Sequence, residues 1–285
     1  MNWPDEAQVA LDALGRGPVR RWRGLSGGSI NTVVQITFAA GEPVVLKYNA
    51  GAPADLFVRE ASGLALLADG DGPRVPAALA FGATFLVLAE VPEHEPGPGA
   101  WPRFAHELAA LHARRAACFG LAFDNYIGLT PQANTLTDDG HTFFAERRLL
   151  AMGQAVQSRG LLQAQHLRLL ERLVDRLPSL IPAQPASLLH GDLWCGNVIA
   201  GPGGGLWMLD PAAYYGWAEA DLAMTLLFGS FPQAFYRAYL EAHPLAPGWR
   251  ERMPIYNLYP LLNHLYLFGP SYLPGVEQVL LKFGR

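Results

Sequence analysis

Cysteine is scarce in this sequence. Its 285 residues include two cysteines, Cys118 and Cys195, and no Cys-x-x-Cys pair. These two cysteines make no disulfide framework and no Cys-x-x-Cys metal site. Because proteins without disulfides are typical of reducing compartments, we expect the protein to be cytoplasmic.

Charge is also low, and long apolar runs are missing. Charged residues make up 16% of the chain, the formal net charge is −4, and no long basic run occurs. We therefore expect neither a nucleic-acid partner nor an anionic-membrane partner. No uninterrupted apolar stretch approaches the roughly 18 residues that span a bilayer. Asp5 and Glu6, directly after the start, argue against a signal peptide. The sequence leaves the oligomeric state open.

Apolar residues, in contrast, make up 51% of the chain, which is typical of a compact globular protein with one large or two modest domains. Short apolar runs between glycine and proline turns fill the first ninety residues, and helical spacing follows. The predicted strands cover residues 19–25, 30–38, 44–49, 75–81 and 85–91, and the predicted helices cover residues 4–14, 54–69, 102–115, 142–159, 161–177, 219–228, 231–243, 249–268 and 275–283. The sequence therefore predicts an α+β protein, with a five-stranded antiparallel sheet and one main helix followed by a mostly helical part.

The segment 92–99 separates these two parts. It is polar and rich in proline and glycine, a composition that is typical of a rigid connection and not of a helix or a strand. We expect an N-terminal lobe at residues 1–91, a linker at residues 92–99 and a C-terminal lobe at residues 100–285. The long stretch 117–141 is predicted as a loop, and loops of this length are often functional.

A polar loop in the second part carries the most informative pattern. Asp192 and Asn197 bound this loop, and a hairpin of residues 198–200 and 206–209 should place Asp210 beside it. In phosphoryl transfer, one carboxylate accepts a hydroxyl proton, while an amide and a second carboxylate hold Mg²⁺ on the phosphates. The order is typical of the catalytic loop of the protein-kinase-like fold. We predict Asp192 as the catalytic residue and Asn197 and Asp210 as Mg²⁺ ligands, although such residues are also common in turns.

Lys47 and Glu60 form a candidate pair in the first part. Lys47 follows the apolar run 44–46 in the third strand, and Glu60 lies midway between Leu56 and Leu64 on the apolar face of a helix. A carboxylate aimed at the core needs a partner, and Lys47 on the neighbouring strand is available. A strand lysine paired with a helix glutamate positions the α- and β-phosphates of ATP in kinases. The pair therefore supports the same chemistry as the polar loop.

A glycine-rich turn and a sheet edge complete the predicted ATP site. Residues 26–29 connect the first two strands, and glycines there let backbone N–H groups approach phosphate oxygens. The glycine pair also fits a simple hairpin turn. In a kinase-like fold, the adenine edge would bond the backbone of residues 89–91. The candidate nucleotide-binding residues are Gly27, Gly28, Ser29, Lys47, Glu60, Ala89, Glu90 and Val91.

Several aromatic side chains lie close to the polar loop in sequence. Trp194, Tyr214 and Trp217 could wall a substrate site, and core packing is the alternative for each of them. Residues 214–217 are predicted as an aromatic loop. Asp221 lies in the first turn of a predicted helix, where its carboxylate could interact favourably with the helix dipole or could brace the backbone of the polar loop. His112 is predicted to pack on its helix and not to bind a metal.

These motifs together resemble the fructosamine kinase (ketosamine-3-kinase) family. The resemblance rests on His190-Gly191-Asp192-Leu193-Trp194-Cys195-Gly196-Asn197-Val198 and Asp210-Pro211-Ala212-Ala213-Tyr214-Tyr215-Gly216. Residues 142–149, 219–229, 263–264 and 268–269 add to it, and it extends from about residue 20 to residue 285. It implies a bilobal protein-kinase-like fold within the aminoglycoside phosphotransferase superfamily.

The resemblance also implies an activity. Family members use ATP and Mg²⁺ to phosphorylate the sugar 3-hydroxyl of ketosamines such as ribulosamines and fructosamines, a deglycation repair. Trp217 and Ala89 stand where the family commonly has His and Glu, and the glycine-rich turn lacks the cysteine of some eukaryotic members. Same-fold kinases of choline, homoserine or aminoglycosides and a nucleotide-binding pseudokinase are the alternatives. A protein kinase is disfavoured, since no Asp-Phe-Gly or Ala-Pro-Glu segment follows Asp210.

Overall fold

The computed structural model describes residues 3–25 and 30–285, so the predicted phosphate-binding residues Gly27, Gly28 and Ser29 lie outside the described residues. The N-terminal elements are α1 (Asp5–Ala13), β1 (Val19–Gly24), β2 (Thr32–Phe38), β3 (Val44–Tyr48), α2 (Leu56–Ala68), β4 (Ala78–Phe81) and β5 (Phe85–Ala89). The strands form one sheet in the order β1-β2-β3-β5-β4, and every pair is antiparallel. This sheet with its main helix α2 confirms the predicted fold class.

The rest of the described chain is mostly helical. Its elements are α3 (Ala100–Ala113), β6 (Arg115–Ala116), β7 (Asn125–Ile127), β8 (Thr130–Gln132), α4 (Gly140–Phe143), a π-helix (Phe144–Leu150), α5 (Ala151–Ser158), α6 (Ala164–Leu180), β9 (Ala186–Leu189), β10 (Val198–Ala200), β11 (Leu206–Met208), β12 (Tyr214–Gly216), α7 (Ala218–Met224), α8 (Gln233–Ala242), α9 (Trp249–Phe268) and α10 (Leu273–Phe283). Within residues 3–25 and 30–285, none of these helices has the length and apolar character of a bilayer-crossing segment.

The two faces of the sheet are covered by different helices. Successive side chains of a strand point to opposite faces. Val44 and Leu46 of β3 therefore join the apolar cluster that contains Leu11 of α1. Val45 joins the cluster on the other face, which is built around α2. By the same alternation Lys47 points toward α2, and this explains how a lysine in a buried strand reaches a helix carboxylate.

The connection between sheet and helices is fastened to a hairpin of the helical part. His94 donates its N–H to Ala200 O at 2.8 Å, and Gly97 donates its N–H to Gly204 O at 2.9 Å. The largest apolar cluster draws nearly all its residues from position 100 onward, whereas the two smaller clusters lie on the sheet. We propose the lobe boundaries that the sequence predicts, with residues 1–91 and 100–285 joined by residues 92–99.

Two local predictions were wrong. The predicted loop 117–141 contains the short hairpin β7–β8, which turns at Gly128 with a φ of +62°. The predicted aromatic loop 214–217 contains strand β12, in which Tyr214 pairs with Leu189. Strands β7, β8 and β12 are each three residues long, and two of the three residues in each are polar or aromatic. They therefore lack the apolar alternation by which longer strands are recognised. The predicted helix 142–159 is helical, but its middle is the π-helix.

Candidate active site

Lys47 lies between two carboxylates. Its Nζ is 2.6 Å from Glu60 Oε1 on α2 and 2.7 Å from Asp210 Oδ1, and the Lys47 side chain is almost fully buried. Burial alone would lower the pKa of Lys47, but the charges of Asp210 and Glu60 outweigh burial and raise it. Lys47 is therefore held as an ammonium ion at a defined point. The structure brings these three predicted residues together across 163 positions of sequence.

The β10–β11 hairpin brings Asp210 to the polar loop. Val198 pairs with Met208, and the N–H of Leu209 donates to Asn197 O at 2.9 Å. Asp210 has a φ of +55° and is the one non-glycine with positive φ in the described part of the chain. This left-handed conformation is uncommon for residues with a Cβ, but Asp and Asn tolerate it best. The turn at Asp210 lets its carboxylate reach Lys47.

Asp192 and Asn197 are joined by the amide of Asn197. Asn197 Nδ2 donates to Asp192 O at 2.8 Å and to Asp192 Oδ2 at 3.0 Å. Burial raises the pKa of Asp192 to about 7; the Asn197 hydrogen bond opposes this shift, and the charges of Asp210 and Asp221 add to it. A carboxylate with a pKa near neutrality can accept a proton from a hydroxyl group and release it again.

Asp221 braces the backbone of this loop. Its two carboxylate oxygens accept the N–H of His190 at 2.7 Å and the N–H of Gly191 at 2.9 Å. His112 Nε2 lies 3.1 Å from the same carboxylate and is completely buried. Asp221 therefore braces the loop and also lies in the first turn of α7. The role of His112 was missed, although its position four residues after Leu108 puts it on the buried face of its helix.

His190 connects the loop to the strand that precedes Asp210. Its Nδ1 accepts the N–H of Asp192 at 3.2 Å, and its Nε2 lies 2.8 Å from Leu209 O. Nε2 must carry the proton in this arrangement, because a carbonyl oxygen can only accept. Burial lowers the pKa of His190, which favours this neutral form. Gly191, next to it, has a φ of +85°, and a Cβ there would lie 2.2 Å from Ala212 O, so only glycine fits.

Replacing Asp221 by asparagine should destabilise the folded protein and lower its kcat. An amide has one acceptor oxygen, and its NH₂ group would face one of the backbone N–H donors of His190 and Gly191. Because hydrogen bonds to a buried charge contribute about 1.5–3 kcal/mol, we expect a loss of about 2–3 kcal/mol in unfolding free energy. Thermal denaturation and kcat measure the effect. Glu171→Gln, on the exposed face of α6, is the control, and an unchanged melting temperature for Asp221→Asn would contradict the brace.

The predicted Mg²⁺ ligands fit an ion that is shared with phosphates. No cluster of three or more His, Cys, Asp or Glu side chains suited to a metal occurs in the described residues. Mg²⁺ usually takes one or two protein oxygens and completes its shell with water and phosphate oxygens. Because the amide nitrogen of Asn197 is occupied by Asp192, its oxygen is left for an ion. The Asp210 side chain is half exposed, so Asn197 and Asp210 together offer a suitable pair.

The predicted adenine edge lies where β5 enters the linker. Ala89 donates its N–H to Ala77 O at 2.9 Å, so this donor is used within the N-terminal lobe. The carboxylate of Glu90 accepts a hydrogen bond from the side-chain amide of Gln35 on β2. Val91 is half-buried. A nucleotide contact at residues 89–91 therefore depends on the remaining backbone groups, and it stays a prediction.

The three candidate substrate aromatics lie in different surroundings. Trp194 is half-buried, with its ring 5.9 Å from that of Phe228, which lies 4.6 Å from His264. Tyr214 and Trp217 are 4% exposed and belong to the large apolar core. Their rings have no open face for a sugar, because core side chains cover them. For these two residues core packing describes the structure, and only Trp194 remains a candidate.

Comparison with known proteins gives consistent results. The family model described as fructosamine kinase matches residues 2–283. The "Probable ketoamine kinase" of Synechocystis sp. is 39% identical, over 98% of this chain and 95% of its own. "Probable ketoamine kinase YniA" of Escherichia coli K12 is 34% identical, over 98% of both chains.

Solved structures of related proteins also resemble this chain. The "putative fructosamine-3-kinase" from Thermobifida fusca is 36% identical and superposes with a TM-score of 0.88 over 97% of both chains. The aminoglycoside phosphotransferase APH(2'')-Ib is 15% identical, with a TM-score of 0.66 over 98% of both chains. At this low identity the second likeness concerns the fold alone, and it confirms the predicted protein-kinase-like fold.

Proposed function

The chain belongs to the fructosamine kinase family, and we propose that it transfers the γ-phosphoryl group of ATP to the 3-hydroxyl of a ketosamine. Ribulosamine and fructosamine adducts of amines are the proposed substrates. The observation that carries this proposal is the convergence of Lys47, Glu60 and Asp210 beside the loop that holds Asp192 and Asn197. These five side chains provide what a phosphoryl transfer to an alcohol requires.

Each residue has a defined task in the proposed reaction. The Lys47 ammonium binds the phosphate oxygens of ATP, and Glu60 fixes its position. Asp192 orients the sugar hydroxyl and accepts its proton as the new oxygen–phosphorus bond forms and the bond to ADP breaks. Asn197 and Asp210 would hold Mg²⁺, which neutralises charge on the β- and γ-phosphates when it is bound. Asp221 and His190 keep the loop in place for these steps.

The substrate would lie along the aromatic side of the catalytic loop. Trp194 follows Asp192 by two residues, and its ring begins a row that continues through Phe228 to His264. Partly exposed aromatic rings offer an apolar face to the carbon skeleton of a sugar. We propose this row as the wall of the ketosamine site.

The proposed biological role is deglycation repair. Phosphorylation of the 3-hydroxyl makes the adduct unstable, so that the original amine is released. We propose a cytoplasmic location for this activity, because ATP is available there and the scarce cysteines are compatible with a reducing environment.

A panel of acceptors tests the proposal directly. Purified protein is given Mg·ATP with a ribulosamine, a fructosamine, choline, homoserine or an aminoglycoside, and phosphate transfer to each acceptor is followed together with ADP release. We expect transfer to the ketosamines, with the phosphate on the 3-hydroxyl by NMR. Transfer to choline, homoserine or an aminoglycoside alone would replace the proposed substrate, and nucleotide binding without transfer to any acceptor would indicate a pseudokinase.

A further inference from the structure

The β7–β8 hairpin holds the backbone that follows Asp210. The side-chain amide of Asn125 donates to Ala213 O at 2.9 Å, and that of Gln132 donates to Ala212 O at 3.0 Å. Asn125 is 5% exposed and Gln132 is 1% exposed. Two buried amides from one hairpin therefore bond the second and third residues after Asp210.

These amides are themselves fixed by other buried groups. Asn125 Oδ1 accepts from Gln132 at 2.8 Å and from Asn134 Nδ2 at 2.7 Å, and Tyr259 donates its hydroxyl to Gln132 Oε1 at 2.9 Å. Arg148, completely buried in the π-helix, donates to Asn134 Oδ1 at 2.7 Å. In a buried network each member holds the orientation of the next, so the donors that face the Asp210 segment have little freedom.

The same hairpin reaches the helix that carries Glu60. Tyr126 donates its hydroxyl to Asp55 Oδ1 at 2.6 Å, and Asp55 is the residue directly before α2. Arg59 of α2 donates to Asp55 Oδ2 at 2.9 Å and lies 5.0 Å from the ring centre of Phe123. The hairpin thus contacts the start of α2 through a side chain next to the one that bonds Ala213.

Strand geometry explains how one short strand serves both elements. Asn125 and Tyr126 are neighbours in β7, so their side chains point to opposite sides. One side meets the segment after Asp210, and the other meets α2. Any movement of α2 relative to Asp210 would have to break contacts on one side of this strand.

We propose that residues 123–134, here called the hairpin clamp, position α2 and the Asp210 segment relative to each other. Asn125, Tyr126 and Gln132 are its positioning residues. The clamp keeps Glu60 and Asp210 at Lys47. This inference rests on the proposed function for its catalytic meaning.

Asp210 is the residue that most needs such support. Its left-handed backbone is strained and persists only where surrounding contacts enforce it. If Asn125 is lost, the buried Ala213 carbonyl loses its partner, and the segment can relax toward a solvated arrangement. Asp210 would then leave Lys47 part of the time, and fewer molecules would be competent to react at any moment.

Asn125→Leu tests the contact between the hairpin clamp and the segment after Asp210. Hydrogen–deuterium exchange of residues 209–216 is measured on the protein without nucleotide or metal, and kcat and the Mg²⁺ concentration for half-maximal rate are measured on the loaded enzyme. We expect faster exchange in 209–216, a fall in kcat of about tenfold to a hundredfold, and a higher Mg²⁺ requirement.

The matched control is Asn257→Leu, which removes another buried amide that bonds a backbone carbonyl, Ala223 O at 2.8 Å. It should leave exchange in 209–216 and the Mg²⁺ requirement as in the unmodified protein.

Tyr126→Phe tests the contact between the hairpin clamp and the start of α2. It removes only the hydroxyl of a half-buried ring, so folding is retained even if Asn125→Leu fails to fold. We expect faster exchange in residues 56–68 and a fall in kcat of about tenfold, with an unchanged KM for the ketosamine. Unchanged exchange and unchanged kcat in the folded variants would overturn the clamp. If the unmodified protein phosphorylates no acceptor, the proposed function fails, and the exchange measurements still decide the inference about the clamp.

Discussion

Replacing Asp192 by asparagine should lower kcat by roughly 10² to 10⁴. Asparagine has nearly the same shape, and the hydrogen bond from Asn197 to Asp192 O involves the backbone, so the loop keeps its conformation. The amide cannot accept the hydroxyl proton at neutral pH, so the loss falls on the chemical step. Because Lys47, Glu60 and Asp210 are unchanged, the affinity for ATP should stay close to its original value.

Steady-state kinetics with a ketosamine and calorimetric titration with a non-hydrolysable ATP analogue separate the two effects. Asp175→Asn, on the exposed face of α6, is a matched control for the loss of one carboxylate and should have the original kcat. Near-normal turnover by Asp192→Asn would remove Asp192 from the proposed role, whereas loss of ATP binding would point to a wider collapse of the site.

Asp210→Asn should lower kcat/KM for Mg·ATP by roughly 10² to 10³. The change removes the charge that pairs with the Lys47 ammonium and that the proposed Mg²⁺ would use, but it keeps a residue type that tolerates the left-handed backbone. We therefore expect a folded protein that needs more Mg²⁺ for its half-maximal rate. Calorimetry with Mg·ADP should show weakened binding, and ADP without metal should be affected less.

Asp210→Ala separates the two properties of this residue. It removes the same charge and adds about 1–2 kcal/mol of backbone strain, because alanine disfavours a positive φ. Its melting temperature should be lower than that of Asp210→Asn, while both variants should be similarly slow. Equal Mg²⁺ requirements of Asp210→Asn and the unmodified protein would argue against Asp210 as a metal ligand.

The main features of the fold could be predicted from apolar periodicity. Alternation in β3 places Lys47 on the side of Val45, and helical spacing places Glu60 between Leu56 and Leu64, so each residue can be oriented before the partner is known. Asp210 could be located because its hairpin is short, and a short hairpin leaves few positions for its ends. The structure brings these residues together, and their chemical roles stay predictions.

The buried polar groups could not be found in this way. Asn125 and Gln132 look like loop residues in the sequence, because a side-chain amide that bonds a buried carbonyl is the same group as one that bonds water. Their partners Ala213 and Ala212 lie 88 and 80 positions away. For Tyr214 and Trp217 the sequence left a sugar contact and core packing both open, and in the structure both rings are buried in the core. Local patterns predict the face of a helix or strand on which a side chain lies, but they do not predict its partner from a distant part of the chain.

The fastening of the linker to the β10–β11 hairpin has a consequence for product release. His94 and Gly97 are tied to the helical lobe by backbone hydrogen bonds, so this stretch moves with that lobe as one body. If the sheet rotates away from the helical lobe when ADP leaves, the bend would fall in the few residues between Ala89 and His94, and the Tyr126–Asp55 hydrogen bond of the hairpin clamp would have to break. The β10–β11 hairpin thus leads into Asp210 at one end and holds the linker at the other.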